Sequence, residues 1–130
     1  MRTNRPSTTV LAACTLLLSL MAAEASAATL RVTCEARPGR AKVSVDAKGL
    51  AAGSYRSEAV SGGNSAAAAA QAAVAGEIES DYDSNAADVR AGAVAIPSTF
   101  IQNGSVTGKV VDANGNTVIS DTVACRVRTR

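Results

Sequence analysis

Two cysteines, Cys34 and Cys125, stand 91 positions apart near the two ends of the part of this chain that follows its leader. The third cysteine, Cys14, falls inside the leader. A lone pair that far apart in a chain built for export reads as one bridge tying the first strand to the last. In the chain-entropy model, closing a loop of that length is worth about 4 to 5 kcal/mol. A typical domain has a total stability of about 5 to 15 kcal/mol, so no other feature constrains the fold as strongly.

The leader has three parts: Arg2 and Arg5 at a basic start, an apolar stretch from Val10 to Ala23, and Ala25-Ser26-Ala27 as a small-x-small cleavage site. Residues 1–27 are therefore read as a signal peptide and 28–130 as a single domain, exported to a periplasmic or extracellular space. The alanine-rich leader has a bacterial character. Its apolar stretch, about 14 residues interrupted by Cys14, Thr15 and Ser19, is shorter than the roughly 20 that a spanning helix needs. No membrane span is expected. Leu11-Ala12-Ala13-Cys14 resembles a lipoprotein lipobox, but there the apolar region precedes the cysteine and here most of it follows.

Removing Arg2, Arg5 and Glu24 from 13 basic and 11 acidic residues leaves 11 and 10, a balance that does not suggest nucleic acid as a partner. The remaining 103 of 130 residues suffice for one small core. Tyr55, Tyr82 and Phe100 are the whole aromatic inventory, so valine, isoleucine, leucine and alanine must build that core. Such side chains bury less area each, which raises the value of a covalent staple.

Alternation marks the strands. Leu30, Val32 and Cys34 share one face, with Arg31, Thr33 and Glu35 on the other. Arg37-Pro38-Gly39-Arg40 is a turn, and Val43 and Val45 continue a second strand to Lys48-Gly49. A third runs from Gly53 to Ser61 and breaks at Gly62-Gly63. The alanine-rich run 65–75 has helical propensity but no amphipathic stripe, so a short helix and a small-residue strand both remain open. Ile78, Ser80 and Tyr82 alternate with Glu77, Glu79, Asp81 and Asp83. One helical turn is expected at 86–90, ended by Ile96-Pro97, and a short strand at 98–102.

Asn114-Gly115 between Val106–Asp112 and Thr117–Val127 predicts a hairpin with a two-residue primed turn. That turn sets Val111 opposite Val118, Val110 opposite Ile119, Lys109 opposite Ser120, Gly108 opposite Asp121, and Val106 opposite Val123. Val106, Val110, Ile119, Val123, Cys125 and Val127 then form the core face. Asp121 shares that face and is expected at a bulge or at the rim. Residues 106–123, with Thr107-Gly108-Lys109 and Asn114-Gly115-Asn116, resemble the opening hairpin of carboxypeptidase-regulatory-like and transthyretin-like secreted domains. The resemblance implies an immunoglobulin-like β-sandwich and carries no activity. The hairpin ends this chain, whereas it begins those domains. The whole reading is an all-β, immunoglobulin-like sandwich of about seven short strands, without the tryptophan of antibody domains.

The sequence contains no histidine, the commonest general base and a leading ligand for zinc. A serine nucleophile would need Lys42, Lys48 or Lys109 as base, and none sits in a diagnostic motif. Adjacent acids on one strand lie roughly 6.5 to 7 Å apart on one side, not across a cleft as glycoside hydrolysis requires. The expectation is a non-enzymatic protein. Asp81, Asp83 and Asn85, followed by Asp88, reproduce the start of a calcium loop, although Ala86 replaces its glycine and Gly92 its bidentate glutamate; a looser calcium site remains a candidate cofactor site. Arg31, Arg126, Arg128 and Arg130 face outward and form a candidate anion-binding face for a glycan. Asn103-Gly104-Ser105 reads as a turn. The expected role is binding or envelope assembly with a protein or envelope glycan partner, and the alternative is a secreted or periplasmic hydrolase inhibitor.

Overall fold

The computed structural model describes residues 27–129, so the leader reading up to residue 26, including Cys14, and the placement of Arg130 lie outside the described residues. In chain order the elements are β1 (Thr29–Arg37), β2 (Arg40–Lys48), β3 (Ser54–Ser61), β4 (Asn64–Ala67), β5 (Gln71–Ala72), β6 (Ile78–Asp83), α1 (Ala86–Arg90), β7 (Val94–Ala95), β8 (Ser105–Asp112), β9 (Thr117–Ala124) and β10 (Arg126–Val127). They form an all-β sandwich. One sheet has the order β10-β1-β2-β6-β7; in the other, β4-β3-β8-β9, β5 also pairs with β3.

Period-two alternation decides which residues enter the core. Val32 and Cys34 of β1, Ala41, Val43 and Val45 of β2, and Tyr82 of β6 pack against Ala59, Val106 and Phe100. A second cluster joins Ala47, Leu50, Tyr55, Ile78 and Val110. The scarce aromatics sit deep: Tyr82 and Phe100 are fully buried. The polar end of Tyr82 is satisfied by the Ser57 hydroxyl at 2.6 Å. The two sheets come so close at Gly108 that a Cβ there would lie 2.5 Å from Val32 Cγ2. Glycine at that position is a packing requirement.

The hairpin keeps the expected register from Val110 onward, with Val110 opposite Ile119 and Val106 opposite Val123. Its turn differs. The N–H of Gly115 donates to Asp112 O at 3.0 Å and that of Asp112 to Asn116 O at 2.9 Å, which makes a three-residue loop with Gly115 at φ +82°. The Asp112 carboxylate holds it by accepting from the N–H groups of Asn114 and Asn116, each at 2.9 Å. A bulge between Val110 and Val111 then absorbs the shift, placing Val111 opposite Thr117 in place of Val118. Asp121 lies at the exposed rim of β9, an edge strand, where an inward-facing charge discourages further pairing.

Two open readings are decided and two other expectations change. The run 65–75 is not helical: β4 and β5 pair with β3, with Ala66 half-buried and Ala67 and Ala72 exposed. The helical turn at 86–90 is present as α1. No strand forms at 98–102; Phe100 N–H donates to Pro97 O at 3.0 Å, making a turn that drops Phe100 into the core. Finally, the last strand is not continuous. It breaks at Cys125, where the chain leaves the second sheet and joins the first as β10, parallel to β1. Val127 is thereby carried out of the core to 66% exposure.

Candidate functional site

The disulfide sits at that crossing. Cys34 and Cys125 are bonded with Cα atoms 4.7 Å apart, Cys34 buried and Cys125 half-buried. The bridge fixes the end of β9 against β1 just before β10 begins. It therefore determines which side chains share the outer face of the first sheet.

Strand register arranges that face in rows. Arg126, Glu35, Lys42 and Asp83 stand side by side on β10, β1, β2 and β6, a line of alternating charge. Thr33, Ser44 and Asp81 form the next row, and Arg31, Asp46 and Glu79 the one after. Opposite charges on neighbouring strands attract across such a sheet. Ser44 donates its hydroxyl to Asp81, and Arg37 and Arg128 both approach Glu35, the latter at 3.3 Å. The Arg37 hydrogen bond, with Arg128 and Arg126 adding their charges, holds the Glu35 carboxyl below its ordinary value. Burial, reinforced by the charges of Asp81 and Glu77, pushes Asp46 up, against the pull of Arg31 and Lys48. Shallow depressions open on this face. One of 440 Å³ is bordered by Thr33, Glu35, Lys42, Ser44 and Arg126, and another of 610 Å³ runs from Arg31, Asp46 and Lys48 round to Gln71, Ala72 and Val74 at the margin of the other sheet.

The calcium candidates do not converge. Asp83 is 1% exposed and turned toward Arg40, whose Nη2 donates to it at 2.9 Å and whose Nε donates at 3.3 Å. Asp88 accepts from the same Nη2 at 2.9 Å. Asn85 caps α1 by accepting from Ala87 N–H at 2.8 Å, while Asp81 belongs to Ser44. The chain thus supplies its own cation, a guanidinium, where a metal would have to sit. Among the described residues no group of three or more acidic, cysteine or histidine side chains is placed to hold a metal ion.

The arginine face is also different from its expectation. Arg31, Arg126 and Arg128 do lie outward and exposed, but Arg31 stands beside Asp46 and the other two beside Glu35. Arg31 and Glu35 are four residues apart on β1, about 13 Å along the strand. The arginines therefore belong to a mixed-charge face, not to a cationic patch. Sequence alternation found their side of the sheet, but carboxylates from neighbouring strands share it. The places of Arg40, Lys42 and Ser44 in this face are not legible in the sequence, because they depend on β2 pairing with both β1 and β6. Among the described residues no helix is long and apolar enough to cross a membrane. No protein-family model matches the chain, and no curated protein matches it in sequence.

Proposed function

We propose that this chain is an exported, non-enzymatic β-sandwich that binds a protein partner of the envelope or extracellular space through the outer face of the β10-β1-β2-β6-β7 sheet. The observation that carries the reading is the alternating run Arg126, Glu35 and Lys42, which ends at the buried Asp83, with the rows of mixed polarity beside it. A uniformly anionic glycan would meet Asp46, Glu79 and Asp81 along with the arginines. A protein surface with its own fixed pattern of charge fits better, because complementary patterns select register and suppress wrong partners. The signal-like leader, the disulfide and the absence of histidine from the sequence agree with an exported binder.

The test is capture of partners from a native envelope extract by the oxidised protein, compared with Lys42→Glu and Ser44→Arg variants of intact fold. Loss of the same captured band in both variants supports the reading, and equal capture by all three overturns it. The hydrolase-inhibitor alternative has one observation in its favour, Val74, which projects at 75% exposure beside β5. The segment 84–95, which lies between two predicted strands and would have to be free to serve as an inhibitory loop, is folded into α1 and β7 and pinned by Arg40. An inhibitor would leave a protease or lysozyme inactive at one-to-one stoichiometry and lose that effect in Val74→Asp.

A further inference from the structure

The two ends of the first sheet are unlike each other and match each other. At one end, β7 covers only Tyr82 and Asp83 of β6. The β6 backbone groups that point away from β2 follow from ladder parity. Ser84 N–H donates to Ala41 O at 3.0 Å, so residues 84, 82, 80 and 78 bond to β2 and residues 83, 81 and 79 face outward. Asp83 O is taken by Ile96 N–H at 3.1 Å, and Glu79 O by the Gln71 side-chain amide at 3.1 Å. The N–H groups of Glu79 and Asp81 face a groove of 710 Å³ that no strand fills. Ala68, Ala69 and Ala70 line it as well, as do residues 91–94.

At the other end, β10 is a short edge strand. Arg128 N–H donates inward to Ala36 O at 2.8 Å, so the peptide groups of Val127, one residue earlier, face outward from the sheet. The Val127 side chain is 66% exposed, while Arg126 and Arg128 are exposed on the charged face. Laid against β6, this strand offers a carbonyl acceptor to open N–H donors, an apolar side chain to the alanines lining the groove, and two arginines to Glu79 and Asp81. A two-residue strand also suits a short gap, bounded here by the Gln71 side chain and Val94.

We propose that copies of this chain associate head to tail, the β10 edge of one docking in the β6 groove of the next and extending the sheet from copy to copy. The two surfaces lie at opposite ends of the sheet, so the contact is heterologous and leads to a ring or an open filament, not a closed pair. The proposal holds whichever partner the outer face takes. It adds strands by backbone pairing, with side chains setting the specificity.

Two separate variants test it. Arg126→Glu with Arg128→Glu disables the donor edge, and Glu79→Lys with Asp81→Lys disables the groove; circular dichroism and the intact bridge verify the fold of each. Sedimentation of the oxidised wild type is expected to show concentration-dependent species larger than a dimer, weakened by salt. Each variant alone is expected to associate about tenfold or more weakly. Mixed, they have one intact groove and one intact donor edge, and two reversed faces that complement each other, so association returns. Val127→Lys, which leaves every arginine in place, is expected to weaken it as well. A wild type that stays monomeric at about millimolar concentration, where even weak contacts populate, overturns the proposal. So do variants that assemble like wild type, or a mixture no more associated than its components.

Discussion

Arg40 and Asp83 lie 43 positions apart in sequence and are joined by two hydrogen bonds, from Nη2 at 2.9 Å and Nε at 3.3 Å. The pair ties the first turn of the chain to the end of β6, and through Asp88 it holds α1 in place. Burial would raise the Asp83 carboxyl, but the Arg40 hydrogen bonds and the Asn85 N–H outweigh it and hold the group below its ordinary value of 3.8.

This pair gives an acid limb to the stability curve. The folded carboxyl binds its proton more weakly than the unfolded one, so its contribution is full above the ordinary value and is lost as pH falls through the folded value. Asp83→Asn is expected to lower the urea midpoint at pH 7, with the difference from wild type shrinking below about pH 4. Asp88→Asn, at an exposed partner, is expected to do much less. Equal effects from the two would place the stabilising contact elsewhere.

Opening the bridge should cost much of the fold's stability. Replacing Cys34 and Cys125 together by alanine is expected to remove about 4 kcal/mol, for a loop of 91 positions. Reduction of the wild type should lower its Tm similarly. An unchanged melting temperature under reductant would show that the loop-closure account is wrong for this chain.

At Gly108 a single methyl is too much. Gly108→Ala puts a Cβ 2.5 Å from Val32 Cγ2 and 3.3 Å from Val45 Cγ2, and is expected to cost about 1 to 3 kcal/mol. Adding Val32→Ala should recover part of that loss. A double-mutant cycle in denaturant with no coupling between the two sites would contradict the close approach of the sheets there.

Tyr82→Phe removes a fully buried aromatic hydroxyl and strands the Ser57 hydroxyl that meets it at 2.6 Å. The expected loss is about 1 to 3 kcal/mol, and Ser57→Ala added to it should recover some of the deficit. Burial raises the Tyr82 phenol above its ordinary value of 10.0, more than the Ser57 hydrogen bond lowers it. The neutral form therefore favours folding, and its stabilising effect fades as pH climbs past that value toward the folded one. Alkaline unfolding should accordingly begin at a higher pH in Tyr82→Phe than its reduced stability alone would suggest.

Short-range chemistry explains which parts of this molecule could be read without coordinates. Alternation placed β1, β2, β3, β6 and the hairpin strands, because each has one face against the core and one outside. The bridge was legible because Cys34 and Cys125 share that phase. The turn at Asn114-Gly115 was misjudged by one residue because the Asp112 carboxylate captures two backbone N–H groups, a competition that propensity does not register. Residues 65–75 were ambiguous because alanine fits either backbone, and pairing with β3 decided the outcome. The charged face eluded the sequence for a deeper reason. Whether Arg31 and Arg126 form a patch or a mosaic depends on Asp46 and Glu35, and that adjacency exists only once the strand order is known.

Because β10 lies beside β1, the beginning and the end of the domain are one structural unit. A chain synthesised from its N-terminus therefore holds β1 without its outer neighbour, and Cys34 without its partner, until residues 125–127 have been made. Contacts between distant parts of a chain are slow to form, and partly folded chains expose strand edges meanwhile. Closing that edge, and with it the bridge, thus depends on pairing the two strands of the domain that lie farthest apart in sequence.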